Sequence, residues 1–184
     1  MHQPLNGVFR VLVCRANARL CGLPLDAVEE TLRPQPLRPL TAPVNHVQGL
    51  ARIRGDWLPV LDLAGLLGVS ALPEPVRRFV VMRTGERRVA LAVSEVLGVQ
   101  ALESEAVRAL PPLLRDRDHA GVAALAERDE ELLAVLDQAR LLPESTSRQL
   151  TDELGDDLQV DPPGDPPVDP PDDLADAARA RAAS

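Results

Sequence analysis

The chain has 184 residues, of which 45% are apolar, and a formal net charge of −8; that length suits one ordinary domain with its own core. Residues 144–184 hold 11 of the 28 acids and only three of the arginines, so residues 1–143 carry no net charge. A neutral body lacks the positive excess that grips nucleic acid or an anionic membrane, and no apolar run approaches the ~20 residues of a membrane span.

All 20 basic residues are arginine, and Phe9, Phe79 and Trp57 are the whole aromatic complement. Val, Leu and Ala must therefore fill the core. Met1 to Arg10 shows no charged segment leading into an apolar one, as a secretory leader would. The expectation is a soluble cytoplasmic protein with no direct membrane insertion.

Along the chain, Val8–Arg15 and Arg19–Leu25 read as a first hairpin turning at Asn17-Ala18, which sets Cys14 opposite Cys21. Two cysteines are too few for a disulfide framework, and buried reduced thiols are the simpler reading. A helical turn is expected over Asp26 to Glu30. The proline-punctuated stretch that follows reads as loop or edge strand, with a short strand near Leu32–Leu40. Val47–Arg54 and Trp57–Leu61 form a hairpin around Gly55-Asp56, and Leu63–Leu67 is a short helix stopped by Gly68.

Phe79–Thr84 and Arg87–Val93 form the next hairpin around Gly85-Glu86. Pairing there puts Val80 and Met82 beside Leu91 and Val89 on one face, and Phe79 and Val81 beside Ala92 and Ala90 on the other. Both faces are apolar, so protein should cover both. A strand over Val96–Ala101, an irregular Glu103–Leu110, a last hairpin of Val122–Ala126 with Glu131–Leu136 and a helical turn over Asp137–Leu142 complete the body. About ten short strands suit barrels or a sandwich, not an α/β sheet.

Residues 144–184 read as a disordered acidic tail. Asp161-Pro162-Pro163-Gly164, Asp165-Pro166-Pro167-Val168 and Asp169-Pro170-Pro171-Asp172 repeat every four residues. Proline removes backbone donors, the aspartates repel one another, and little can be buried. A polyproline-like tether is expected.

The chain contains no P-loop, GxGxxG, GxSxG or HExxH pattern. His2, His46 and His119 lack metal-ligand spacing to each other or to a cysteine, so no metal or cofactor is expected. Asp129, Glu130 and Glu131 read as a solvated turn, and Asp62 as the cap of the short helix after it. Nothing converges as an active site would.

The stretch Gly49–Leu63, GLARIRGDWLPVLDL, is more informative. Turn pairing at Gly55-Asp56 sets Ile53 against Leu58 and Ala51 against Val60 on a core face. The other face then carries Arg52, Arg54, Trp57 and Pro59. Trp and Arg together favour protein interfaces, although a structural ion pair and a covered barrel end would look the same.

From Val8 to Leu142 the chain resembles the CheW-like family of coupling proteins of bacterial chemosensory arrays. The family's G-V-x-N-L-R-G-x-x-x-P-V-x-D-L signature is matched by Gly49 through Leu63, and its V-x-E element by Val28-Glu29-Glu30. Val89 through Val96 and Gly121 through Leu142 resemble two later family segments.

The resemblance implies an all-β fold of two intertwined five-stranded SH3-like barrels over residues 1–143, without catalytic activity. It also implies two partners, the regulatory domain of a CheA-type histidine kinase and the cytoplasmic tip of a chemoreceptor. It assigns an ion pair between Arg54 and Glu30 near the coupling surface; the expected partner-binding residues are Glu30, Gly49, Arg52, Arg54, Gly55 and Trp57. The chain departs from the family pattern at Arg52 (usually asparagine), Ser94 (usually aspartate), Ala64 (often arginine) and Cys21 (where an aromatic normally stands near the second strand). A decoy that binds the kinase or another partner without bridging to a receptor is the alternative reading.

Overall fold

In the computed structural model, residues 8–69, 74–109 and 121–157 are described. Twelve strands run through them in two six-stranded sheets. The first hairpin, β1 (Val8–Ala16) and β2 (Arg19–Pro24), turns at Asn17-Ala18, with Cys14 directly opposite Cys21. Then come β3 (Val28–Leu32), β4 (Leu37–Arg38), β5 (Val47–Ile53), β6 (Asp56–Asp62) and the short helix α1 (Leu63–Leu66). The second half holds β7 (Arg78–Thr84), β8 (Arg87–Val93), β9 (Glu95–Glu103), β10 (Arg108–Ala109), β11 (Val122–Arg128), β12 (Glu131–Leu136) and the helix α2 (Glu144–Asp157).

The two sheets have one plan. In sheet A the order is β10-β11-β12-β2-β1-β9, and in sheet B it is β4-β5-β6-β8-β7-β3. Each joins a hairpin (β11–β12 or β5–β6) in parallel to the second strand of another (β1–β2 or β7–β8). The strand following each of these latter hairpins pairs with the hairpin of the other half: β3 pairs with β7, and β9 pairs with β1. The two halves of the chain, β1–β6 and β7–β12, are thus topological repeats that exchange one hairpin each: β1–β2 sits in sheet A with β9–β12, and β7–β8 in sheet B with β3–β6. The repeat reaches single residues. Asp62 ends β6 and its carboxylate accepts the Ala64 amide at 3.1 Å; Asp137 follows β12 and accepts the Ala139 amide at 3.0 Å. Short polar side chains cap the exposed amides at such strand-to-helix junctions.

Three cores follow. Sheet A encloses Val11, Val13, Leu20, Leu102, Ala126, Leu133 and Val135. Sheet B encloses Ala51, Ile53, Leu58, Val60, Phe79, Val81, Ala90 and Ala92. Between them lies the largest cluster, which includes Leu12, Cys14, Cys21, Leu61, Val80, Met82, Val89, Leu91 and Leu136. The β7–β8 hairpin therefore buries one face in its own sheet and the other between the sheets, in the register its sequence predicts. Cys14 and Cys21 are free and buried, and act as small apolar groups.

Several expectations are corrected. Over Asp26 to Glu30 a turn ends at Ala27 and a strand begins at Val28, because Val28 and Leu32 have apolar cores to reach through pairing with β7. In Leu32–Leu40, Leu32 closes β3 and only Leu37–Arg38 forms a new strand. The β5–β6 turn is Arg54-Gly55, not Gly55-Asp56. Within 144–184, residues Glu144–Asp157 form a helix that buries Ser147 and Leu150. The Asp-Pro repeat lies outside the described residues.

Candidate functional site

The β5–β6 hairpin organises the site. At its turn Arg54 has φ 53° and Gly55 φ 95°. Positive φ at both turn positions matches the right-handed twist of the flanking strands, and glycine at the second takes it without a Cβ penalty. Moving the turn back one residue shifts the register by two: Ala51 faces Leu58 and Ile53 faces Asp56. Face membership survives a shift of two, since side chains alternate with period two. Ala51, Ile53, Leu58 and Val60 all reach the core of sheet B, whereas Arg54 leaves the Arg52–Trp57 face for the turn.

Arg54 grips Glu30. Its Nε donates to both carboxylate oxygens at 2.8 and 3.0 Å, and Nη2 donates to Oε2 at 2.7 Å. This planar fork on a carboxylate is the geometry that favours arginine over lysine. It holds the Glu30 carboxyl below the ordinary glutamate range and raises the Arg54 guanidinium.

A second carboxylate sits beside it because of a β-bulge. Val28 pairs with Met82 but Glu30 pairs with Val81, so Glu29 is the extra residue. Glu29 accepts from Arg83 Nη2 at 2.9 Å and from Arg88 Nε at 2.7 Å. These bonds, Arg83 foremost, hold its carboxyl low as well. Arg88 Nη1 also donates to Asp56 at 3.0 Å, and its Nη2 lies 3.9 Å from Glu30. Alternation explains where this network lies. Arg83 follows Val81 by two residues, Arg88 precedes Ala90 by two, and Asp56 precedes Leu58 by two, so the core columns of sheet B end in charge. Four strands (β3, β6, β7 and β8) and a turn are stitched together at that rim. The equivalent end of sheet A has Leu20 at the position matching Arg88, and only contacts of 3.4 Å between Arg15 and Glu131 and between Arg128 and Asp129 among the described residues.

On the other face of the same hairpin, Arg52 lies directly opposite Trp57 at the exposed end, and Pro59 opposite Leu50 where both are buried. Trp57 is 36% exposed, and the Arg38 guanidinium lies 5.8 Å from its ring centroid, within cation–π range. Gly49 brings Arg38 there. At φ 151° it lies so close to β4 that a Cβ would sit 2.5 Å from the Arg38 carbonyl oxygen.

The six site residues read from the sequence therefore divide between two neighbouring features, the Glu30–Arg54 tie with Gly55, and the Arg52–Trp57 face backed by Gly49. Glu29, Arg83, Arg88, Asp56 and Arg38 complete them and were missed. The run Val28-Glu29-Glu30 is the only local signal of the bulge. Among the described residues, no group of three or more His, Cys, Asp or Glu side chains could hold a metal ion, and no helix is long and apolar enough to cross a membrane.

Two small β-sheets that interlock by exchanging strands, one with a charged rim, define an all-β module of the SH3-like kind. Residues 10–146 match the model of the CheW-like domain, and the chain belongs to that family of chemotaxis-type scaffold proteins. It is 25% identical over 143 residues to chemotaxis protein CheW of Thermotoga maritima, across 77% of this chain and 92% of that protein. It is 33% identical over 101 residues to protein PilI of Pseudomonas aeruginosa, across 54% of this chain and 57% of PilI. The fold matches the crystal structure of scaffolding protein TtCheW from Thermoanaerobacter tengcongensis with a TM-score of 0.66 at 19% identity. That match covers 75% of this chain and 94% of the other.

Proposed function

We propose that the chain is a non-enzymatic cytoplasmic adaptor that couples chemoreceptors to a CheA-type histidine kinase. Its partners are the regulatory domain of the kinase and the cytoplasmic tip of the receptor. The coupling surface comprises Glu30, Gly49, Arg52, Arg54, Gly55 and Trp57. The observation that carries this reading is the bidentate Arg54–Glu30 tie, which fixes the hairpin whose outward face exposes Trp57 between arginines. A rigid aromatic with arginines around it supplies contact area at little ordering cost, as interface anchors do.

The test is affinity capture from native lysate with the full chain and an Arg54→Ala variant, read by mass spectrometry. Kinase and chemoreceptor recovered together by the parent chain, and reduced with the variant, support the adaptor. Recovery of neither overturns it. The departures at Arg52 and Ala64 favour a second reading, a decoy that holds the kinase without reaching a receptor. Kinase recovered without receptor would identify it.

A further inference from the structure

The Arg52–Trp57 face and the acidic proline repeat are complementary, and the fold holds the start of α2 beside the β7–β8 turn, whose strand β8 pairs with β6. We propose that Asp161–Asp172 of this same chain docks on the face formed by Arg38, Arg52 and Trp57 as an internal ligand.

Charge is the first argument. Residues 28–93, which contain all of sheet B, hold nine arginines against six acids, while Asp161–Asp172 holds four aspartates and no basic residue. Within sheet B the acids Glu29, Glu30 and Asp56 are engaged by Arg54, Arg83 and Arg88 at the rim. Arg52 lies across the strand pair from Trp57 on the outward face, and makes no ion pair among the described residues.

The second argument is conformational. Six prolines in twelve residues fix φ near that of a polyproline helix, so little order is lost when such a segment binds. Aromatic faces on small barrels recognise that helix by stacking on its proline rings. Trp57 offers such a face, 36% exposed on the same side of the hairpin as Arg52. Aspartate at every fourth position supplies repeated carboxylates for Arg38 and Arg52 to contact.

Reach is the third. Glu144 and Arg148 of α2 line one cleft with Thr84, Glu86 and Arg87 at the β7–β8 turn. The next residue, Arg88, bonds to Asp56, the neighbour of Trp57. The fourteen residues of α2 span about 21 Å, and the fifteen residues from 158 to 172 reach about 46 Å as a polyproline helix. The last unit of the repeat, Asp169–Asp172, is tethered by residues 158–168, about 34 Å as a polyproline helix, and can return to the hairpin whichever way α2 points. If the coupling surface is the one proposed above, the docked segment and the partner exclude each other; the docking itself does not depend on that reading.

Trp57 is the sole tryptophan and the chain has no tyrosine, so its emission reports on this face alone. The test compares acrylamide quenching of the full chain with that of full-length D161N/D165N/D169N and of full-length R52E, with no partner present. The expected result is that Trp57 is shielded in the parent chain and loses that shielding in both variants. The difference should hold at every protein concentration and vanish in 1 M salt, where the Debye length is about 3 Å. Equal quenching in all three proteins overturns the proposal. So does shielding that grows with protein concentration, since the occupant would then be the tail of a second copy. Loss of kinase capture leaves this readout untouched, so failure of the adaptor reading and failure of the docking are separately visible.

Discussion

Arg54 and Glu30 are 24 residues apart in sequence and joined by three hydrogen bonds of 2.7 to 3.0 Å. Neither is deeply buried: the Arg54 side chain is 73% exposed. A pair that wet contributes little to global stability. Its effect is local, since it fixes the turn of one hairpin against a strand two elements earlier. Arg54→Ala should therefore leave the thermal midpoint nearly unchanged and weaken partner binding by roughly tenfold, the scale of one interface anchor. Arg54→Lys should not restore it, because an ammonium cannot present a planar fork. Calorimetric melting and titration of the variants against the captured partner check both halves.

The same rim predicts a pH dependence of definite sign. Glu29 and Glu30 are both depressed from 4.5 by their arginine partners. A group whose folded pKa is lowered stabilises the fold above its unfolded pKa and loses that contribution as pH falls through the folded value. Urea midpoints should be flat from pH 7 to about 5, then decline below the ordinary glutamate range. Glu29→Gln/Glu30→Gln should start lower and decline less. A double variant that declines as steeply as the parent would locate the acid sensitivity elsewhere.

Gly49→Ala should be costly, because Gly49 is buried in β5 against β4. Its Cβ would meet the Arg38 carbonyl at 2.5 Å with φ at 151°, so β4 must detach or the backbone must strain. A loss of roughly 1–3 kcal/mol is expected. Trp57 emission should shift with it, since Arg38 is carried by β4. Denaturant melts followed by tryptophan fluorescence report both.

Leu61 and Leu136 occupy matching positions in the two repeats, each one residue before a capping aspartate, and each is 1% exposed in the central cluster. Truncating either to alanine should cost about 2–5 kcal/mol. Similar losses in the two variants would show that both halves contribute equally to the core between the sheets.

Cys14 and Cys21 should resist alkylation in the native protein. The hydrogen bond that Cys21 shares with Cys14, reinforced by burial, raises its thiol well above the ordinary range, and the thiolate is the reactive form. Mass spectrometry after iodoacetamide treatment at pH 8 should find no label without denaturant and two labels with it.

The hairpins were legible because alternating apolar residues and short turns specify strands and faces locally. The doubly buried β7–β8 pair was readable down to individual partners. The β5–β6 turn was misplaced by one residue because Gly55 suits either position, and only the Arg54–Glu30 contact selects Arg54 at positive φ. The β3 strand was read as a helical turn since its pairing partner, β7, lies some fifty residues on. The rim network depends on a bulge and on four strands meeting, which no local pattern encodes. The α2 helix was hidden by its acidic composition; burial of Ser147 and Leu150 is a tertiary gain. The internal repeat was visible only as Val60-Leu61-Asp62 returning as Val135-Leu136-Asp137.

The exchange of the β1–β2 and β7–β8 hairpins between the two halves has a further consequence. A chain severed between β6 and β7 would yield two fragments, each missing from its four-stranded part a hairpin, β7–β8 or β1–β2, that the other carries. Neither could close its own sheet alone, yet the two should reassemble when mixed, and two copies of either one could complete each other in the same manner. In architecture the protein is a domain-swapped dimer joined into one polypeptide, and the two sheets should unfold together as one cooperative unit.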